Sequence, residues 1–407
     1  MRRTVDLFLG LFVAVFVISG LIWMLAAPGT SFAQDDPATL RDQMASEDDD
    51  VRLVAVIDAG KLGNAPVEII DRLLELTLDH NELVRISAER SLGKIGAPVN
   101  ERLKVWMAEE SVDRYLMATG GVRALGPDGA NWVPAIIRKL NTDDYRTKMG
   151  SLFALVAIGP ASEPALDRVI ELLQDPEFQV QQVSCRVIAA IGPKAKRAGP
   201  ALAEMINEDR SVSARTHAMI ALGAIGPVEG VDSVGILREW VNAFTVTDRE
   251  RSLEGLALLG PLAVSAKDDV EKLMLDRSKS VMPNAAYTYW RITGDQAKAL
   301  ELLVLYLDKY DFRNASLVKL GEMGPAAASA TGKIALLLTS DEAGIRESAL
   351  LALKGIGPAA REAIPHVRVV AESDEDQLLR DMAKEVLESI SAPESGGKPG
   401  GNGTGRH

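Results

Sequence analysis

Small, large and again large apolar residues recur along most of the chain at offsets of four and then three, a spacing that places all three on one face of a helix. The small position holds Ala55, Ala88, Ala118, Ser151, Ser184, Ala218, Ser252, Ala286, Ser316 and Ala349. Four residues on stand Ala59, Leu92, Val122, Leu155, Ile188, Leu222, Leu256, Trp290, Leu320 and Leu353. Three further on stand Leu62, Ile95, Leu125, Ile158, Ile191, Ile225, Leu259, Thr293, Met323 and Ile356. The next residue is always glycine: Gly63, Gly96, Gly126, Gly159, Gly192, Gly226, Gly260, Gly294, Gly324 and Gly357. These glycines are separated by 33, 30, 33, 33, 34, 34, 34, 30 and 33 residues. A period of about 33 residues marks stacked helical hairpins, and a small residue inside an apolar stripe lets a neighbouring helix come close.

The glycine is expected to end the first helix of each unit in the left-handed conformation. Proline follows at once at Pro127, Pro160, Pro193, Pro227, Pro261, Pro325 and Pro358, where it cannot continue the helix. A second proline eight residues past the glycine, at Pro134, Pro200 and Pro365, suits the first turn of a second helix. Each unit therefore reads as helix, tight turn, helix. Eleven residues before the glycine a basic column runs through Arg52, Arg85, Lys148, Arg215, Arg249, Arg313 and Arg346. Asp79, Asp175 and Asp209 precede the basic position by six and are expected to cap the first helix. The basic column is expected to tie each unit to the next through a carboxylate or carbonyl, because periodic charges in repeats serve stacking before ligand binding.

Segments such as GPAAREAIPHV, preceded by IRESALLALKGI, resemble HEAT repeats of the short bacterial kind, the phycobilisome lyase HEAT-like repeats. The resemblance covers residues 37–392 and implies an all-α fold, an α-solenoid of about ten stacked HEAT-like hairpins whose second helices line a concave side. It carries no activity with it, since one scaffold of this kind serves unrelated tasks.

The ends differ from the array. Met1-Arg2-Arg3 precedes an apolar run at 7–27, followed by Pro28-Gly29 and Ser31-Phe32-Ala33. Residues 1–33 form a hydrophobic helix with two open readings. The run is long enough to span a bilayer and longer than an ordinary signal sequence, whereas the small-x-small site suits cleavage after Ala33. Retention as an anchor is the favoured reading. Either way the repeats are exported: a single-pass inner-membrane protein with its repeats on the periplasmic side, or a periplasmic protein if cleaved. Pro37 to Met44 is a half-unit cap at one end. Asp376 to Ser391 repeats the first-helix columns at the other and covers the last apolar face. Residues 393–407, rich in Gly and poor in apolar side chains, form a disordered tail.

Composition narrows the function. Acidic residues outnumber basic ones, 57 to 45, for a net charge of −12, and the arginines are spread one per unit; no basic stripe exists for nucleic acid. His80, His217, His366 and His407 lie in different units without ligand spacing, so no metal site is expected. No nucleophile elbow appears, and the recurring Gly-Pro lacks an amide that a phosphate loop needs. No catalytic residue and no cofactor are expected. Cys185 reads as a buried, inert thiol. The aromatic residues Tyr287, Tyr289, Trp290, Tyr306, Tyr310 and Phe312 crowd the eighth unit and its surroundings. Tyr306 and Tyr310, placed on a second helix, are the expected exposed members, with Trp106 and Trp240 as further candidates for partner binding. The leading reading is a non-enzymatic scaffold that binds a protein or peptide on the concave side. The alternative is an exported enzyme or cofactor-handling protein related to bilin lyases.

Overall fold

The computed structural model describes residues 36–207 and 212–392. The apolar run, the Ala33 site, Asp209 and the tail lie outside the described residues. Within them the regular structure is helical, and the only bridging residues are Val228 and Val231. The chain divides between Ala266 and Lys267 into two compact units.

The first unit opens with the short helix α1 (Pro37–Gln43), whose Leu40 is buried and which is followed by buried Met44. Hairpins follow: α2 (Asp49–Ala59) with α3 (Val67–Leu76), α4 (Glu82–Ile95) with α5 (Ala97–Trp106), and α6 (Val112–Leu125) with α7 (Val133–Lys139). Next come α8 (Tyr145–Ile158) with α9 (Leu166–Glu171), α10 (Phe178–Ile191) with α11 (Gly199–Asn207), α12 (Val212–Ile225) with α13 (Ser233–Trp240), and finally α14 (Val246–Leu259). The second unit runs α15 (Lys267–Leu273), α16 (Val281–Thr293), α17 (Gln296–Tyr306), α18 (Tyr310–Glu322), α19 (Thr331–Leu336), α20 (Ala343–Ile356), α21 (Ile364–Ser373) and α22 (Gln377–Ser391).

In each unit the first helices pack side by side, α2 on α4 and so on to α12 on α14, and α16 on α18, α18 on α20 and α20 on α22. Each second helix lies against the first helix of the following hairpin, as α11 does on α12 and α21 on α22. The small column makes this possible: all ten of its residues, from Ala55 to Ala349, are fully buried. The large positions that follow are buried with it, including Leu92, Leu155, Ile188, Leu222 and Leu353. Trp290 departs from this pattern. Its indole is only half-buried and meets the Tyr287 ring edge-on at 5.6 Å between centroids. The result is an α-solenoid in which each hairpin hides its apolar face only against its neighbours.

The turn expected to be tight is a seven-residue 3-10 segment in six hairpins, for example Gly159–Ala165 and Gly357–Ala363. Pro134, Pro200 and Pro365 stand at the second position of α7, α11 and α21. The hinge glycine has positive φ but not the left-handed helical ψ expected of it. Gly96, at φ 70 and ψ −125, ends α4 and is at the same time the N-cap of α5. One residue must leave one helix and present the extended ψ that an N-cap needs, a combination that falls to glycine. Gly294 shows the converse. It takes the left-handed conformation, φ 77 and ψ −2, because the separate residue Asp295 caps α17, its carboxylate accepting from the Lys298 amide.

Gly63 is not a hinge of this kind. α2 ends one turn earlier at Ala59, with Gly60 at φ −69, and Gly63 is exposed and lacks positive φ. Gly60 is a poor helix former pressed on α4, where a Cβ would meet Ser91 Oγ at 2.5 Å. No proline follows Gly63, so the chain passes through successive turns before Pro66 opens α3, and Leu62 leaves the buried stripe.

The approach of first helices is tightest where glycine faces glycine. A Cβ on Gly223 of α12 would stand 2.3 Å from the Gly255 carbonyl oxygen of α14. Alanine in a helix interior is favoured over glycine by about 1 kcal/mol, but here the overlap is with backbone and can be relieved only by parting the helices. Gly223→Ala is therefore expected to destabilise the protein by about 1 to 3 kcal/mol, read as a lower urea midpoint. A higher midpoint would contradict the close approach.

Candidate functional site

The basic column, expected to tie each unit to the next, does so through carboxylates and carbonyls at several hairpins. Arg52 Nε and Nη2 donate to the two carboxylate oxygens of Asp79 at 3.0 and 3.1 Å, and Nη1 donates to the Ser46 and Glu47 carbonyls. Arg346 repeats the arrangement on Asp374 at 2.8 and 2.9 Å. Lys148 Nζ donates to Asp175 at 2.7 Å. Asp79 and Asp175 are not helix caps. Asn81 caps α4 with its own side chain, and Glu177 precedes α10 without a side-chain cap bond. Each aspartate instead accepts the amide two residues on, at 2.8 Å for Asn81 and 3.0 Å for Glu177; Asp175 gives its other oxygen to Lys148, while both oxygens of Asp79 also accept from Arg52. Arg85 and Arg380 in turn donate to the main-chain carbonyls of Asp79 and Asp374. Side chain and main chain of one aspartate thus link two consecutive hairpins.

Arg215 forms the pair with Asp248, its Nη2 at 2.9 Å, and lies over the Trp240 ring at 4.2 Å. Both partners are almost fully buried. Trp240 is therefore half-buried by a structural guanidinium. Trp106 is removed from the binding candidates outright: it is 2% exposed, at the end of α5, with Arg114 stacked over it at 4.2 Å. Tyr306 is half-buried at the end of α17, edge-on to Phe312 at 4.8 Å. Tyr310 is 68% exposed, but it is the first residue of α18, a first helix, and not on a second helix. Tyr289 is buried beneath Lys298 Nζ at 4.8 Å, and Tyr287 accepts from Arg291 at 3.0 Å. The aromatic crowd is thus mainly a repacked junction, with Tyr310 standing outward.

No reacting constellation is assembled among these groups. An open, polar depression of about 420 Å³ is lined by Arg72, Glu75, Asp79, Ser111, Asp113 and Arg114 among others. Its charges are engaged with neighbours: Arg72 with Glu75 and the Met44 carbonyl, Arg114 with Trp106. Ser111 caps α6. Among the described residues no three His, Cys, Asp or Glu side chains cluster as metal ligands. Burial pushes the Cys185 thiol up to about 12, and its Sγ lies 3.6 Å from Met205 Sδ. Burial lowers His217, whose Nδ1 is 2.8 Å from the Ser213 carbonyl.

The sequence reading missed the fully exposed Phe244, in the turn between α13 and α14, and Leu275, 82% exposed, after α15. It also missed a column of apolar residues that open the first helices: Val112, Tyr145, Phe178, Val212, Val246 and Tyr310. Each stands fourteen residues before its hinge glycine.

With this geometry in hand the chain can be compared with known proteins. Residues 37–119 match the family model described as HEAT repeats, and the fold is an α-solenoid of stacked helical hairpins. No curated protein matches the chain. Solved structures of similar fold include Kap95p with RanGDP, at 14% identity and TM-score 0.45 over 87% of this chain and 57% of that one. The Kap95:Nup1 complex is similar at 13% identity and TM-score 0.49, over 87% of this chain and 56% of that one. Importin beta in an ammonium sulfate condition is similar at 13% identity and TM-score 0.41, over 87% and 57%. The chain spans little more than half the length of these proteins.

The ladder's role has a measurable consequence. Burial alone would raise the Asp374 carboxyl, but the Arg346 bond, the Asp376 amide and the nearby Arg380 outweigh it and hold the group below the usual carboxylate range. A depressed folded pKa contributes its stability above the unfolded value, about 3.9, and loses it as pH falls from there through the folded pKa. Asp374→Ala leaves Arg346 buried without its carboxylate and is expected to cost about 3 to 5 kcal/mol at pH 7. Arg346→Met with Asp374→Leu is expected to recover most of that loss and to show a shallower loss of stability below pH ~4 than the wild type. Urea titrations across pH check both, and an unchanged stability in Asp374→Ala would remove the ladder from the account.

Proposed function

We infer that this protein is a non-enzymatic scaffold that binds a protein or peptide partner through distributed contacts over several hairpins. The observation that carries the reading is the character of the outward side chains: Leu305, Tyr310 and Val318 are all more than half exposed on α17 and α18. Exposed tyrosine and aliphatic side chains supply interface anchors, while the mixed charge of the second helices supplies register. The short repeats with Gly-Pro hinges support assignment to the bacterial phycobilisome lyase HEAT-like kind, from which no activity is carried over. Met1-Arg2-Arg3 and the apolar run at 7–27 support export, with the segment retained as an inner-membrane anchor and the repeats on the outer side.

Crosslinking of intact cells, followed by mass spectrometry of the membrane fraction, tests this reading. The expected result is one dominant protein partner, recovered with a chain that still carries its N-terminal segment. Tyr310→Ala is expected to leave the unfolding free energy within about 0.5 kcal/mol of the wild type, Tyr306→Ala to cost more because its ring meets Phe312, and the two together to reduce partner capture. Capture undiminished by both substitutions would exclude this surface. A mature chain beginning at Gln34 would overturn the anchor and leave the scaffold standing.

A further inference from the structure

In the first compact unit the residues that open α6, α8, α10, α12 and α14 are Val112, Tyr145, Phe178, Val212 and Val246. Val112 is half-exposed, and the other four are 40 to 49% exposed. Phe244, two residues before Val246, is fully exposed. Scattered apolar residues on a surface are ordinary; the same register in five successive helices is not scatter. Because these helices pack side by side, their starts share one edge. Arg146 donates to Asp113 at 2.7 Å, tying the second residue of α8 to the second of α6, and Gln182 of α10 bonds to Ser213 of α12. Neighbouring members of the column are therefore about one interhelical spacing apart, about 8 to 10 Å.

We propose that this edge is a docking strip for an extended peptide with an apolar side chain at every third residue and lysine or arginine between. In the polyproline II conformation three residues complete one turn and rise about 9 Å, so every third side chain falls on one face, one apolar side chain per hairpin. The charge of the strip selects the intervening residues. Glu110, Asp143, Asp144 and Glu177 flank the column, whereas its arginines are engaged: Arg146 with Asp113, and Arg114 over Trp106 and 3.8 Å from Glu109. An anionic membrane surface and a second copy of this acidic edge are both repelled by the same carboxylates. The strip is built from residues of the first compact unit and shares none with the Leu305, Tyr310 and Val318 surface above, so either reading can fail without the other.

The test is fluorescence anisotropy of labelled Leu-Lys-Lys repeat peptides, five repeats long, against the purified full chain. A peptide of the same composition with its leucines regrouped, and a Leu-Glu-Glu repeat, serve as comparisons. The expected result is binding by Leu-Lys-Lys at least tenfold tighter than by the regrouped peptide, none by Leu-Glu-Glu, and a loss of at least tenfold in Tyr145→Ser with Phe178→Ser. The two side chains are exposed, so the double variant is expected to keep its melting midpoint; Glu110→Gln with Asp143→Asn provides a second variant that alters charge alone and should weaken binding and its salt dependence. Equal binding of the regrouped peptide, or undiminished binding by both variants, overturns the proposal. So does loss, in Tyr145→Ser with Phe178→Ser, of phosphatidylcholine vesicle binding or of self-association by sedimentation in place of peptide binding, because the strip would then serve a membrane or a second copy.

Discussion

Consecutive first helices can touch only because one position in each is never larger than serine. With Ala55, Ala88, Ser151, Ser184 and their equivalents fully buried, the helix backbones come within reach of one another, and at Gly223 and Gly255 they meet directly. That contact fixes the order of everything else. Most of the large residues four and seven positions on are buried because the seam is closed beside them, and the second helix is left to fill the space against the next hairpin. The aspartate ladder then crosses a gap already set by packing. Its bidentate pairs hold a geometry in which both partners are dry, so its value lies in register more than in net stability.

The repeat itself was legible from the chain because close packing constrains residue size, and size survives in a sequence column. The same logic explains what was misread. Trp106 was taken as a surface aromatic because a large ring on a second helix gives no sign of which neighbour covers it; the cover is Arg114, from the following helix. Tyr310 falls on a first helix because Gly294 and Gly324 are only 30 residues apart, so α17 ends at Tyr306 and the next first helix begins directly after a short turn. Gly63 shared the letter of the hinge but lacked a following proline and had a competitor, Gly60, three residues earlier. Asp79 and Asp175 sit where caps are sought, yet Asn81 stands nearer the helix and does that work for α4. The apolar column at the first-helix starts was visible at a fixed offset from the hinge. Its exposure was not legible, because burial cannot be told from exposure by periodicity alone.

Two kinds of surface therefore coexist. Within the seams, charge is neutralised pairwise across hairpins. At the helix starts, apolar and acidic side chains alternate in the open, a composition that costs solubility little because the carboxylates keep the strip hydrated. Function on such a body depends on which rows are left unpaired with a neighbour, and not on any single pocket.

Cys185 lies at the centre of the fifth hairpin, in contact with Met205 of the second helix, and is the only sulfhydryl in the chain. A thiol held near 12 by burial is chemically silent while that hairpin is closed. Its alkylation is consequently a clock for local opening in the middle of the array, with no tag or engineered probe required. In a body whose stability is assembled from neighbour to neighbour, that clock separates breathing at one joint from melting of the whole.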